Sequence, residues 1–284
     1  MISIILFSFC EARNAIFGFA TGYAENVIAG FVGSTRRSGY RGEIWLGVNA
    51  AQIGTLRRYA SGLNVRLVAV DGEMRTNEHI NMQRFRFFSR WSHAFSDADW
   101  ILTCDVRDTF VQRNPFSLKY SAEFSPINLF EENANVTIGA CPYNSEWIRS
   151  CWGEDALKNC AQNHIVCAGN ILARAYLFRK FVVELSDVKP KEPACSSGMV
   201  DQGALNYLRC TKKWDTEHNF TVRIWKRGTG VVNTIGSLQS IFMNHYGEVL
   251  NDDATVSPIV HQYDRHNLLT AKLSSYADDS LDFY

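Results

Sequence analysis

The sequence predicts an α/β fold, a single domain in which a mostly parallel central sheet is flanked by helices. Three observations lead to this prediction. Apolar, β-preferring segments alternate with segments of helical spacing in the first half of the chain, which is typical of parallel strands joined by right-handed crossovers. The 284 residues are enough to bury the core of one large α/β domain, although two small domains would also fit. No internal repeat or low-complexity tract indicates another architecture.

The first half of the chain divides into alternating strands and helices. Val27, Phe31 and Ser34 have the spacing of one helix face, and the glycines in segment 38–42 suit the end of that helix. The third helix is rich in aromatic residues, which we expect in the core. The predicted strands are 15–23, 43–48, 65–70 and 100–103, and the predicted helices are 24–37, 51–62 and 81–95.

The second half of the chain has a looser pattern. One apolar strand, 165–172, is interrupted by Gly169 and Asn170, and polar turns separate the others. The remaining predicted strands are 127–132, 136–140, 221–225, 241–245 and 257–266, and the predicted helices are 144–160, 173–185 and 199–208.

Charge and composition exclude several partners. The chain carries 29 basic and 29 acidic residues, so nothing favours nucleic acid or an anionic membrane. No apolar run has the length of a membrane span, so we predict no span in this chain. The apolar segment 2–9 has two interpretations, a signal-peptide core (or anchor remnant) without a basic flank, or a structural segment.

The cysteines and glycosylation motifs favour a lumenal or extracellular protein. Eight cysteines occur without a CxxC pair, which argues against zinc, and the six between Cys141 and Cys210 would suit disulfides across loops. Asn135-Val-Thr and Asn219-Phe-Thr are N-glycosylation motifs. Both features are typical of the secretory pathway.

Two acidic residues follow the fourth predicted strand. Asp105 and Asp108 lie in Cys104-Asp-Val-Arg-Asp108, where the carboxyl end of a strand places them at the edge at which open α/β sheets bind ligands. Carboxylates held close together suit Mg²⁺ or Mn²⁺. The alternative is a solvated turn in which Arg107 neutralises its neighbours. GxGxxG and GxxxxGK[ST] are absent, which argues against dinucleotide and P-loop enzymes.

Three further motifs accompany the acidic pair. Gly169 lies within a strand pattern, where it permits close approach to the backbone. Asp201 and Gln202 begin a helix, with Asn206 one turn later, and His261 opens a polar segment near the C-terminus. The motifs are Ala168-Gly-Asn-Ile-Leu172, Val200-Asp-Gln-Gly-Ala-Leu-Asn206 and Pro258-Ile-Val-His-Gln-Tyr-Asp-Arg-His266.

Together with Asp105-Val-Arg-Asp-Thr-Phe-Val-Gln-Arg-Asn-Pro-Phe116, these motifs resemble the nucleotide-sugar-dependent glycosyltransferases of the GT-A fold, of the eukaryotic type with Asp-x-Arg-Asp and His-Gln-Tyr-Asp-Arg. The resemblance extends from about Phe17 to His266. It implies one GT-A domain over 15–270, with a nucleotide-binding half (15–116), an acceptor and catalytic half (117–270) and a C-terminal tail (271–284).

The resemblance also implies a metal site. Asp105, Asp108 and His261 would hold a divalent cation, and the imidazole favours Mn²⁺ over Mg²⁺. Arg107 stands where an Asp-x-Asp motif would have its second acid. It would instead contact a phosphate or pair with an acid.

Further roles follow from the same resemblance. Thr21, Gly22 and Tyr23 would bind the base and ribose, and Arg84 would reach the sugar or phosphates. The implied donor-sugar residues are Gly169 and Asn170, and the implied catalytic residues, directed at the reacting carbon or the acceptor, are Asp201 and Gln202.

Each of these residues also has a structural explanation. His261 could be a buried structural histidine, Arg84 could lie on a solvated basic helix face, and Tyr23 could belong to the core. Asp201 could simply favour a helix N-terminus, and Asn170 could cap a turn.

The implied activity is transfer of a sugar from a nucleotide diphosphate donor to a hydroxyl of a glycan or glycoprotein, with a UDP-sugar as the favoured donor. The implied location is the secretory-pathway lumen, specifically the Golgi. Asp-Gln-x-x-x-Asn favours a retaining reaction, whereas an inverting enzyme would use Asp201 as a general base. One alternative is a glycan-binding protein without turnover. A sugar nucleotidyltransferase is another, although the loop 21–25 lacks the basic residues such enzymes usually carry.

Overall fold

The computed structural model describes residues 13–75, 78–188, 190, 195, 200–211 and 220–271. A seven-stranded sheet with the order β3-β2-β1-β4-β7-β6-β8 forms the centre, and β5, β10 and β9 form a small second sheet. The strands are β1 (Asn14–Phe19), β2 (Glu43–Val48), β3 (Val65–Ala69), β4 (Trp100–Cys104), β5 (Thr109–Val111), β6 (Ile127–Thr137), β7 (His164–Arg174), β8 (Val222–Trp225), β9 (Val232–Thr234) and β10 (Ile259–His261).

Helices cover both faces of the large sheet. They are α1 (Glu25–Arg37), α2 (Ile53–Gly62), α3 (Ile80–Ser92), α4 (Leu118–Ser121), α5 (Pro142–Trp152), α6 (Glu154–Cys160), α7 (Ala175–Asp187) and α8 (Val200–Thr211). None of the helices in the described part of the chain is long and apolar enough to cross a membrane.

The central sheet is mostly parallel, as predicted. β3, β2, β1 and β4 run parallel to one another, β7 is antiparallel to β4 and β6, and β8 is parallel to β6. The carboxyl ends of β1 and β4 are neighbours, because Gly18 pairs with Cys104. Polar side chains that follow these strands therefore meet at one edge of the sheet.

The core lies on both faces of the sheet. On one face, the aromatic residues of α3 pack against Phe17 of β1, whose ring centroid lies 5.9 Å from Phe88 and 5.6 Å from Trp91. On the other, Phe31 and Val32 of α1 are buried against β1, β2 and β4. This packing fixes the edge that carries the acidic motif.

Several elements differ from the sequence prediction. Residues 127–137 form one strand with register shifts instead of two strands. Gly153, with φ 89° and ψ 171°, divides the predicted helix 144–160 into α5 and α6, since this extended conformation with positive φ is open to glycine and cannot continue a helix. Residues 164–174 form one strand through Gly169 and Asn170. Residues 241–245 form no strand, and Met243 makes only an isolated bridge.

Two cysteine pairs lie at disulfide distance, as the cysteine cluster predicted. Cys151 pairs with Cys195 and Cys160 with Cys210, with Cα atoms 4.5 and 5.3 Å apart. Disulfides are typical of oxidising compartments such as the secretory-pathway lumen.

Candidate metal centre and its surroundings

Three predicted ligands converge beyond the carboxyl end of β4. Asp105 follows β4 directly, and Asp108 precedes β5. β10 pairs antiparallel with β5, so that His261 lies opposite Thr109, and the backbone N–H of Gln262 donates to the Asp108 carbonyl at 2.7 Å. This short sheet therefore brings a histidine that is 153 residues distant in sequence beside the acidic turn.

The converging atoms have the spacing of a cation site. Each of Asp105, Asp108 and His261 offers one ligand atom, and these atoms lie within 4.8 Å of one another. His261 Nε2 is 3.6 Å from Asp105 Oδ2 and 3.5 Å from Asp108 Oδ1, which is longer than a hydrogen bond. Two carboxylate oxygens and an imidazole nitrogen are suitable ligands for a divalent metal. The cluster could therefore hold such a metal.

Two further observations fit a metal at this position. His261 is 1% exposed, and its Nε2 makes no hydrogen bond within the described residues, although a buried polar atom normally has a partner. A Cβ at Gly169 would lie 2.5 Å from Asp105 Oδ2 and 3.0 Å from His261 Cε1. Only glycine leaves room for both ligands at this point of β7.

The charged groups of the cluster act strongly on one another. Burial opposes ionisation of Asp105, but Arg84 and His261 outweigh it and hold the pKa of this carboxyl well below its ordinary value. Burial likewise opposes protonation of His261, yet Cys167 and Asp108 raise the pKa of the imidazole well above its ordinary range. A proton on His261 would therefore compete with a divalent cation for the space between the two carboxylates.

Arg84 connects the acidic turn to α8. It is 8% exposed, and it donates to Asp105, to Asp201 Oδ2 at 2.6 Å and to the Ala168 carbonyl at 3.2 Å. The solvated helix face considered as an alternative is wrong for this residue. Burial would lower the pKa of Arg84, but Asp105 and Asp201 raise it, so the guanidinium stays charged.

The two predicted catalytic residues are buried at the start of α8. Burial raises the pKa of Asp201 and Arg84 opposes this effect. Gln202 donates through Nε2 to Glu132 Oε2 at 2.8 Å and to Asn144 Oδ1 at 3.2 Å. These contacts join α8 to β6 and α5.

Asn206 has a structural position. It is fully buried, accepts from the Val166 N–H at 2.9 Å, and donates to the Val166 carbonyl at 2.8 Å and the Gln202 carbonyl at 2.9 Å. The Asn206 amide thus bonds to both backbone groups of Val166, as a neighbouring strand would, and holds α8 against β7.

The predicted base and ribose residues form the loop after β1. Thr21 donates to Asn49, the Gly22 N–H donates to Gln52 Oε1 at 3.2 Å, and Gln52 Nε2 donates to the Tyr23 carbonyl at 2.7 Å. Gly22 has φ 80°, which favours glycine. Partial burial and the nearby charge of Asp105 raise the pKa of Tyr23.

The other donor-binding candidates occupy different environments. Arg107 is 56% exposed at its side chain and pairs with Asp108 at 3.2 Å and Asp264 at 3.3 Å, in agreement with the acid-pairing alternative. Asn170 is fully buried, and neither atom of its amide has a hydrogen-bond partner among the described residues. A buried amide without partners is costly unless a ligand completes it.

Sequence reasoning missed Glu132 and Thr234, which lie near this site. Glu132 binds Gln202 and, through Oε1, Gln262 Nε2 at 2.9 Å. Two groups lie near His261 Nδ1, the ring nitrogen on the side away from the two acids. Cys167 Sγ is 3.6 Å from this nitrogen, and Thr234 Oγ1 is 3.4 Å from it. No motif surrounds Glu132 or Thr234. The polar segment after His261 was the one available signal for Gln262.

Neither a protein-family model nor a curated protein sequence matches the chain. Among solved structures, the glycosyltransferase GlyE of Streptococcus pneumoniae is 14% identical with a TM-score of 0.48, covering 94% of this chain and 60% of GlyE, so the chain spans less than two thirds of that protein. A glycosyltransferase involved in the glycosylation of the major capsid of PBCV-1 is 11% identical (TM-score 0.45; 94% and 99% covered). The 4-diphosphocytidyl-2C-methyl-D-erythritol synthase of Anaerococcus prevotii is 11% identical (TM-score 0.45; 76% and 89% covered). These similarities concern the fold alone.

Proposed function

We propose that the chain is a metal-dependent glycosyltransferase of the GT-A type, which transfers a sugar from a nucleotide diphosphate donor to a hydroxyl. The convergence of Asp105, Asp108 and His261 at the carboxyl end of β4 is the observation that carries this proposal. The site lies at the sheet edge where α/β folds bind ligands, and Gly169 leaves the room that these ligands require.

Asp105, Asp108 and His261 would hold the metal, for which the mixed oxygen and nitrogen ligands favour Mn²⁺. A bound divalent cation would neutralise charge on the leaving diphosphate. Arg84 maintains the ionised state of Asp105 and holds it in place. Arg107, which is partly exposed beside Asp108, would supply positive charge near the phosphates.

The donor would extend from the loop after β1 to β7. Thr21, Gly22 and Tyr23 would contact the nucleoside, with the Tyr23 ring against the base, and a uridine nucleotide is the donor we propose. Gly169 and Asn170 would lie beside the sugar, where a donor hydroxyl could complete the Asn170 amide.

The environment of Asp201 supports a retaining reaction. Asp201 is 2% exposed, and its carboxylate is paired with Arg84 at 2.6 Å. A buried carboxylate held in an ion pair is poorly placed to take a proton from an acceptor hydroxyl. We therefore propose that Asp201 and Gln202 position the reacting carbon, and that no general base acts on the acceptor.

The cysteine pairs support a protein of the secretory-pathway lumen. In that compartment the acceptor would be a hydroxyl of a glycan or glycoprotein. The Golgi, where such chains are extended, is the location we propose.

Calorimetric titration with UDP tests this function. We expect wild-type protein to bind UDP with Mn²⁺, EDTA to abolish binding, and Asp108→Asn to weaken it at least about tenfold through loss of a charged ligand. Asp155→Asn, at a solvent-exposed position on α6, is the control and should bind like wild type. UDP binding that persists in EDTA would contradict the metal assignment.

A screen of UDP-sugars for released UDP then identifies the donor. Release of pyrophosphate from UTP with a sugar phosphate would instead indicate a nucleotidyltransferase. Glycan binding without UDP binding or turnover would indicate the non-catalytic alternative.

A further inference from the structure

His261 lies in the middle strand of the small sheet, opposite Thr109 of β5 on one side and Thr234 of β9 on the other. Its Nε2 is 3.6 and 3.5 Å from carboxylate oxygens of Asp105 and Asp108, so the second ring nitrogen, Nδ1, lies on the side away from the acids. The residue is 1% exposed. An N–H at Nδ1 therefore needs a hydrogen-bond acceptor close by.

Metal binding through Nε2 would fix where the ring carries its proton. Nε2 must present its lone pair to the cation, so the one proton of the neutral imidazole must be on Nδ1. The acceptor of that N–H sets the tautomer and the ring orientation, and losing such a partner typically lowers metal affinity about 10–100-fold. The partner of His261 Nδ1 is thus part of the candidate metal centre.

Two side chains lie within reach of Nδ1. Thr234 Oγ1 is 3.4 Å from it and Cys167 Sγ is 3.6 Å from it. The cysteine sulfur is a weak acceptor, and it already accepts from the Gly169 N–H at 3.4 Å. A hydroxyl oxygen has two lone pairs and is the stronger acceptor. Hydrogen-bond chemistry therefore favours Thr234 as the partner.

The backbone holds Thr234 in this position. β9 pairs in parallel with β10, which places Thr234 opposite His261, and the Ile235 N–H donates to the His261 carbonyl at 3.0 Å. Thr234 is fully buried, and its β-branched side chain has few accessible rotamers. The hydroxyl is therefore supplied by an ordered strand that is bonded directly to the strand of His261.

We propose that Thr234 is a positioning residue, whose hydroxyl oxygen accepts the Nδ1–H of His261 and thereby turns the Nε2 lone pair toward the metal. This inference rests on the proposed function. It makes β9, which supplies none of the three predicted ligands, part of the metal centre.

Two substitutions of Thr234 separate a hydrogen-bonding role from a packing role. Thr234→Val keeps the shape of the side chain and removes the acceptor, so Mn²⁺ affinity in the presence of UDP should fall at least about tenfold. Thr234→Ser keeps the hydroxyl and removes a methyl group, and its Mn²⁺ affinity should stay within about threefold of wild type. A residue needed only for packing would give the reverse order, because valine fills the space and serine leaves a gap.

Electron paramagnetic resonance of free Mn²⁺ measures this affinity without turnover. Thr35→Val is the matched control, because it removes another fully buried threonine hydroxyl, on α1, that bonds only to the Phe31 carbonyl among the described residues; it should bind Mn²⁺ like wild type. Cys167→Ala removes the competing acceptor and should stay within about threefold of wild type.

Nitrogen NMR of the wild-type protein gives a test that needs no Thr234 variant. With Mg²⁺ and UDP bound, we expect the ring proton of His261 on Nδ1 and none on Nε2. A proton on Nε2 instead would overturn the inference.

The remaining outcomes separate this inference from the proposed function. Wild-type Mn²⁺ affinity in Thr234→Val, a greater loss in Thr234→Ser than in Thr234→Val, or a tenfold loss in Cys167→Ala would overturn the inference and leave the proposed function intact. Failure of wild type to bind UDP with Mn²⁺ would overturn the proposed function and this inference with it.

Discussion

Gly169→Ala tests whether the close approach of the cluster to β7 matters. The added methyl group would lie 2.5 Å from Asp105 Oδ2, 2.9 Å from Asp105 Cγ and 3.0 Å from His261 Cε1. Ordinary contact begins at 3.4 Å, so the carboxylate oxygen must retreat by roughly 0.9 Å. Metal–ligand distances in proteins lie within about 0.2 Å of their ideal values. A retreat of this size would therefore disturb the ligand geometry at Asp105.

Two measurements separate loss of the site from loss of the fold. The free energy of unfolding should fall by about 1–3 kcal/mol, the usual cost of overpacking. No backbone strain adds to this cost, because Gly169 has no left-handed φ. Mn²⁺-dependent UDP affinity should fall at least about tenfold. Gly30→Ala is the matched control, since nothing lies within 4 Å of its added methyl group on α1. Wild-type Mn²⁺ affinity in Gly169→Ala would refute the reasoning.

Three further predictions concern the surroundings of the cluster. Asn206→Ala leaves the Val166 N–H and carbonyl buried without partners, so the free energy of unfolding should fall by about 2–4 kcal/mol in urea titration. A urea midpoint equal to that of wild type would contradict the structural role of Asn206. Arg84→Met leaves Asp201 buried and unpaired and should lower the free energy of unfolding by about 3–5 kcal/mol. Adding Asp201→Asn should restore part of this loss, and simple additivity of the two substitutions would argue against the ion pair. Because the pKa of His261 is raised in the metal-free protein, its contribution to stability is complete below about pH 6.5 and is lost as pH rises through the folded-state pKa. Mn²⁺ must displace that proton, so apparent Mn²⁺ affinity should rise about tenfold per pH unit until His261 is neutral. A flat profile across pH 6–9 would show that His261 carries no proton for Mn²⁺ to displace.

Local sequence pattern was sufficient for the parallel half of the sheet. Strand β2 has the predicted bounds, and β1, β3 and β4 lie where apolar runs placed them. β1, β2 and β4 are contiguous, largely buried segments, and β3 is an edge strand of the sheet. The acidic pair after β4 was also visible, since it follows directly from the end of a strand.

Pairing between distant segments was not visible. β5 and β9 have three residues each, too few for a periodic pattern, although β5 and β10 together bring His261 to the acids. The contacts of Glu132 with Gln202 and Gln262 span 70 and 130 residues. Such contacts arise from the topology of the assembled sheet, and no local spacing encodes them.

The central claim is that Asp105, Asp108 and His261 hold a metal that binds the donor diphosphate. Anomalous diffraction at the manganese edge, from crystals grown with UDP and Mn²⁺, tests it directly. The account predicts one strong peak between the two carboxylates and His261 Nε2, with the UDP phosphates completing the coordination. Bound UDP with no peak at this position, or with its diphosphate held by arginines alone, would contradict the account.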